Sequence, residues 1–121
     1  KPLKITFKRM NLMISLSQQI ENGEFDVEGL RDLPEQAAYD VLIAIKGIGH
    51  WTATETLQRL HGVQTNVPYN DVALQAAVNR YFYGAEGRIP AAQVTETFAP
   101  YGQFAGLASH HTMLRWIVDQ Y

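Results

Sequence analysis

The run Leu42-Ile43-Ala44-Ile45-Lys46-Gly47-Ile48-Gly49-His50-Trp51-Thr52-Ala53 constrains this chain more than any other segment. It reads as a helix, a glycine hairpin and a second helix, an arrangement that turns backbone N–H groups towards a phosphate. Gly47 and Gly49 are free to take dihedrals that a β-carbon penalises, and without side chains they let an anionic backbone come close. The amides at Gly49 and in the first turn after it lack partners within the helix, so an anionic oxygen can satisfy them. Taken alone, Gly-Ile-Gly also suits a packed helix–helix corner with no ligand. Its context favours a phosphate clamp: an amphipathic helix precedes it, Ile48 is placed to plug the hairpin into the core, and Thr52 and Ala53 open a new helix. Carbonyls on the hairpin are also placed to hold a small monovalent cation.

The rest of the chain reads as helical from end to end. Met13, Leu16 and Ile20 recur at helical spacing beside Leu12, and Asn22-Gly23 supplies a stop. A short turn through Val27-Glu28-Gly29-Leu30 leads to Pro34, which suits a first helical turn, and Ala38, Val41, Leu42 and Ile45 form a buried stripe that ends at Gly47. The next helix is predicted over 51–60, with Ala53, Leu57 and Leu60 inward, Glu55, Gln58 and Arg59 outward, and Gly62 as its stop. Residues 63–70, with Pro68, read as an ordered connection. Asp71 is suited to cap a helix whose stripe is Leu74, Ala77, Val78 and Tyr81. After the turn Gly84-Ala85-Glu86-Gly87 come a helix opened by Pro90 and, beyond Pro100-Tyr101-Gly102, a last helix through Phe104, Leu107, Ala108 and Trp116.

Composition narrows the function classes. With 121 residues, 46% hydrophobic, and a formal charge of -2, the chain bounds one soluble domain or a piece of one. Nothing in it is long and apolar enough to cross a bilayer, and Lys1-Pro2-Leu3-Lys4 opens no secretory pattern, so the expected setting is intracellular: the cytoplasm or nucleoid of a prokaryote or the nucleus of a eukaryote, with no membrane partner. The absence of Cys excludes disulfides, thiolate zinc sites and a cysteine-ligated iron–sulfur cluster within these residues. The near-neutral balance argues against a large basic nucleic-acid surface, although contacts through backbone N–H groups need none.

The run Ile45-Lys46-Gly47-Ile48-Gly49-His50-Trp51-Thr52-Ala53, followed by Asn66-Val67-Pro68-Tyr69-Asn70-Asp71-Val72-Ala73-Leu74-Gln75, resembles the helix-hairpin-helix superfamily of base-excision DNA glycosylases, and within it the 3-methyladenine DNA glycosylase II branch. The resemblance implies an all-α helix-hairpin-helix DNA-repair domain over 1–121. Its hairpin falls at 46–50, and the whole corresponds to the C-terminal part of the family's fold. Family members carry several helices ahead of this region. The expectation is therefore a domain incomplete at its N-terminal side, whose cleft an upstream segment or a partner chain completes. Gly47, Ile48, Gly49 and Thr52 match the positions that bind the DNA backbone, and Asp71 matches the catalytic aspartate that faces the flipped nucleotide. Damaged double-stranded DNA is the implied partner, and no cofactor is implied beyond the hairpin cation.

Family enzymes with lyase activity carry a nucleophilic lysine where this chain has Trp51. An indole cannot form a Schiff base, so the resemblance implies a monofunctional hydrolase. Trp51 is either simple core or part of the base pocket. Glu55 stands where the alkylpurine enzyme has an aromatic ring. Its carboxylate either attracts a cationic alkylated base or points into solvent. The implied reaction is hydrolysis of the N-glycosidic bond of an alkylated purine such as 3-methyladenine, flipped out of the stack. Asp71 would either stabilise positive charge on the sugar or orient water.

His50, His61, His110 and His111 show no metal-ligand spacing, so no side-chain metal site is expected, and they read as solvent or interface histidines. Tyr101, Phe104 and Trp116 read as packing residues, although the family places an aromatic from the last helix in its pocket. Two other readings compete with an enzyme. A non-catalytic helix-hairpin-helix module would explain the hairpin and leave Asp71 a helix cap, whereas a purely structural helical domain leaves both the hairpin and its spacing to Asp71 unexplained.

Overall fold

The computed structural model describes residues 4–62 and 65–121. Lys1-Pro2-Leu3 and the first two residues of the connection expected over 63–70 lie outside them. Among these residues six α-helices follow one another: α1 (Phe7–Glu21), α2 (Glu35–Ile43), α3 (His50–His61), α4 (Val72–Tyr83), α5 (Ala91–Phe98) and α6 (Ala105–Asp119). Short 3-10 segments at Glu28–Asp32 and Ala99–Phe104 precede α2 and α6. No strand occurs among the described residues, and none of the helices is long and apolar enough to cross a membrane. The chain divides into two compact units, Lys1–Ile48 and Gly49–Tyr121.

In the first unit, Thr6 caps α1 by accepting the amide of Arg9 at 3.3 Å. The expected apolar stripe forms without burial: Met13 is 58% exposed and Ile20 43%, and α1 has no buried residue. Burial in this unit rests on Leu30, Ala38 and Leu42. Val41, expected inside, is exposed. Helix α2 also ends earlier than predicted, at Ile43 rather than at Gly47. The chain tightens there into three-residue turns, with the amide of Ile45 bonded to Leu42 O and that of Ile48 to Ile45 O, so that the α-helical ladder stops before the glycines.

The second unit contains the main core, where Val67, Leu74, Val78, Ile89, Val94, Phe98 and Ala105 form one buried cluster. Phe98 at its centre meets the edge of Phe82 at 5.5 Å. Helix α3 ends at Gly62 in the left-handed conformation, as expected, and buries Ala53, Thr54 and Leu57. Helix α4 begins at Asp71, whose carboxylate accepts the amides of Ala73 and Leu74, and buries Leu74, Ala77 and Val78. The buried Asn79 amide donates to Glu86 O and Gly87 O at 3.0 Å each and holds the turn after α4 in place. Helix α6 buries small residues, Ala105, Gly106 and Ser109, whereas Leu107 and its N-cap Phe104, which was read as a packing residue, are exposed. Small side chains let this helix lie close to its neighbours, and the larger ones are left outside that contact.

Candidate functional site

Within the second unit a cavity of about 180 Å³ is lined on one side by Trp51, Glu55 and Gln58 of α3 and on another by Pro68 and Asp71. Helix α6 closes it with Ser109, His110, Met113, Leu114 and Ile117. Three residues separated in sequence and singled out there, Trp51, Glu55 and Asp71, are thus brought to one cavity.

Asp71 is fixed by three donors. Its Oδ1 accepts the amides of Ala73 at 2.8 Å and Leu74 at 3.2 Å, and its Oδ2 accepts the indole N–H of Trp51 at 2.7 Å. The cap positions the carboxylate at the start of α4, where the helix dipole favours negative charge. Trp51 is therefore no core residue: it is 45% exposed and its polar edge is spent on Asp71. Nothing in the local periodicity could have signalled this bond, because it joins residues in two different helix starts.

The connection ahead of Asp71 is itself anchored at both ends. His50 stacks on Tyr69 with ring centroids 4.0 Å apart, and its Nε2–H donates to Val67 O at 2.6 Å. Gln75 reaches back from α4 to donate to Tyr69 O at 3.0 Å. The amide of Asp71 donates to Pro68 O at 2.9 Å. His50 was expected at a surface or interface; instead it is half-buried and ties the start of α3 to the segment that delivers the aspartate. No neighbouring residue in the sequence signals it, because Val67 and Tyr69 lie far along the chain from His50.

Glu55 and Gln58, predicted outward, both face the cavity, and Arg59 turns outward. The Glu55 side chain is 25% exposed and pairs with Arg59 at 3.4 Å. Gln58 donates its amide N–H to His110 Nδ1 at 2.7 Å, which leaves the ring proton on Nε2. No Lys or Arg lines the cavity, so two carboxylates set its charge and Met113, Leu114 and Ile117 make its apolar wall. The last helix contributes no Phe, Tyr or Trp to it. Trp116 lies instead against Tyr81, edge to face at 6.5 Å, and Tyr101 against Phe98 at 6.0 Å. Among the described residues no group of three or more His, Cys, Asp or Glu is placed to hold a metal.

The hairpin residues divide between the two units. Gly47, at φ +100°, and the half-buried Ile48 belong to the first, and Gly49 and the exposed Thr52 to the second. The positive φ favours glycine here, and a Cβ on Gly47 would also stand 3.2 Å from Leu12 Cδ2, so that this side chain would have to give way. Gly49 corrects the expectation drawn for it. At φ -98° and ψ -175° it is in extended backbone that any residue adopts, and open space surrounds its missing side chain. It is the N-cap of α3 and has no side chain with which to bond the first amides of that helix.

The chain is distantly homologous to proteins named for 3-methyladenine removal. It is 35% identical over 72 residues to the DNA-3-methyladenine glycosylase of Bacillus subtilis (strain 168), a match covering 60% of this chain and 24% of that protein. A second Bacillus subtilis (strain 168) protein, YfjP, whose name assigns it the same activity provisionally, is 28% identical over 82 residues, covering 68% of this chain and 29% of its own length. The matched region thus spans about a quarter of each of these relatives. No protein-family model and no solved structure matches the chain.

Proposed function

We propose that this chain is the hairpin-and-aspartate portion of a monofunctional DNA glycosylase that hydrolyses the N-glycosidic bond of alkylated purines such as 3-methyladenine in duplex DNA. The observation that carries the reading is the three-donor clamp on Asp71 at the rim of a cavity whose other charged group is Glu55. As the glycosidic bond lengthens, positive charge grows on the sugar. A carboxylate held in place before the reaction stabilises that charge with no reorganisation at the moment of cleavage. Because Oδ1 and Oδ2 both already accept hydrogen bonds, this electrostatic role suits the geometry better than that of a base taking a proton from water.

The cavity favours a small, flat, electron-poor guest. It is below the roughly 300–1,000 Å³ of drug-sized pockets, and its apolar wall and two carboxylates suit a cationic alkylated ring. The base reaches it by flipping out of the duplex. Gly49 and Thr52 at the start of α3, with Gly47 and Ile48, contact the strand backbone, and hairpin carbonyls hold a monovalent cation. An upstream segment or partner chain completes the cleft in this reading.

A second reading, a binding module without chemistry, draws on the same Asp71 Oδ1 contacts, which are those of an ordinary helix cap. Asp71→Asn separates the two. Asparagine caps a helix about as well as aspartate but brings no negative charge. The glycosylase reading expects base release to be abolished in single-turnover assays on 3-methyladenine DNA while affinity for abasic DNA stays within a few-fold. Unchanged release would leave Asp71 as a cap only.

A further inference from the structure

The largest groove of the first unit, about 520 Å³, lies beside Gly47 and is lined by Lys8, Arg9, Asn11, Leu12, Ser15 and Lys46. It holds three cations and no carboxylate, in a chain whose formal charge is -2. Neither ion pair found among the described residues involves them.

Lys8 and Arg9 are also in the wrong place for the helix that carries them. They sit in the first turn of α1, which has no acidic residue, where the positive end of the helix dipole repels them. Each such placement is unfavourable for the helix. Helix stability therefore does not account for their being there, and an anion in the groove would offset the cost. The polar lining is rich in donors. Ser15 Oγ accepts from Gln19 at 3.2 Å and Thr6 Oγ1 accepts the Arg9 amide at 3.3 Å, so both hydroxyl protons remain available to an outside acceptor. Next to this wall Gly47 offers bare backbone.

We infer that this groove is a binding site for the phosphodiester backbone of nucleic acid, engaged in addition to the hairpin amides and without regard to base sequence or damage. The inference rests on the proposed DNA-binding function but not on catalysis. An open groove with three cations, no carboxylate, and hydroxyl and amide donors suits the phosphates of a nucleic-acid backbone. It also explains how a chain of slightly acidic composition binds DNA: the positive charge is concentrated at one groove rather than spread over the surface.

The test is the salt dependence of binding of the whole chain to short labelled duplexes, one undamaged and one alkylated, between about 50 and 200 mM salt. Lys8→Gln, Arg9→Gln and Lys46→Gln should each lower the slope of log affinity against log salt by about 1, so that the affinity ratio across that range shrinks roughly three- to fourfold, equally on both duplexes. Lys8→Glu adds a second readout. It should weaken DNA binding while raising the melting temperature, because an acid suits the first helical turn. Slopes and affinities unchanged in all three glutamine variants would overturn the inference, as would a loss confined to the alkylated duplex. Binding that follows these rules by a protein that releases no base would leave the groove standing and remove the glycosylase reading. A wild-type chain that binds neither duplex removes both.

Discussion

The indole N–H of Trp51, in the first turn of α3, meets Oδ2 of Asp71, the residue that starts α4, at 2.7 Å. The bond links two helix starts and gives the tryptophan a task that its ring alone does not require. Trp51→Phe keeps an aromatic ring and deletes the donor. Base release should slow about tenfold at saturating DNA, the worth of a roughly 1.5 kcal/mol hydrogen bond to a charged group, while KM stays unchanged. A variant with wild-type turnover would show that Asp71 is held well enough by its amide contacts.

On the proposed monofunctional reading, Trp51 puts an indole, which cannot form a Schiff base, where a lyase would need an amine. A labelled duplex carrying one alkylated purine should therefore be cut only after alkali treatment, and borohydride should trap no covalent adduct. An adduct would mean that a lysine elsewhere is acting as a nucleophile.

The two hairpin glycines should part company on substitution. Gly47→Ala combines a positive φ with a close approach to Leu12 and should destabilise the fold by about 1–3 kcal/mol in denaturant titration. Gly49→Ala should change stability by less than about 0.5 kcal/mol, since its backbone is ordinary and its surroundings open. A bulkier Gly49→Leu should nevertheless weaken binding to damaged and undamaged duplexes by similar factors, because the contact it blocks is to the backbone. A loss restricted to one lesion would contradict this.

Acid should expose a different part of the second unit. Tyr81 donates to Asp119, and Arg115 pairs with the same Oδ2 at 3.1 Å; these contacts, Tyr81 first, hold the Asp119 carboxyl below its ordinary range. A depressed folded-state value stabilises the fold above the unfolded value of about 3.9, and the contribution disappears as pH falls through the folded value. Asp119→Asn should accordingly flatten the acid limb of a melting-temperature profile below about pH 4 and leave its slope between pH 6 and 8 unchanged. An acid limb identical to that of the wild type would show that the cluster adds nothing to stability.

Local rules carried much of this architecture. The cap at Asp71, the stripe Leu74, Ala77 and Val78, and the stop at Gly62 follow from helical period and end chemistry, and all stand in the fold. Their success has a common cause, since each depends on residues within one or two turns. The errors fall where the partner is remote. Periodicity marked Met13 and Ile20 as a stripe but carries no information on what covers it, and they are exposed. Polarity assigned Gln58 outward and left Glu55 between pocket and solvent, whereas α6 closes over both into a cavity and His110 takes up the Gln58 amide. His50 read as a solvent or interface histidine, whereas Tyr69, distant in sequence, stacks on it. For Gly49, composition suggested unusual dihedrals where the structure has ordinary extended backbone beside open space.

The burial of Ser109 on α6 bears on how such a cavity changes its guest over evolutionary time. Its hydroxyl bonds to Gly106 O at 2.7 Å and only 1% of the residue is exposed, so any larger side chain there would fill the space rather than reshape it. One turn further along the same helix the wall is more permissive. Met113 is unbranched and adaptable, and Leu114 is partly open to solvent, so exchanges there alter the width of the slot without disturbing the aspartate that faces it. On the glycosylase reading, a change in the ring that the slot admits is thus confined to one turn of one helix, with Asp71 left in place.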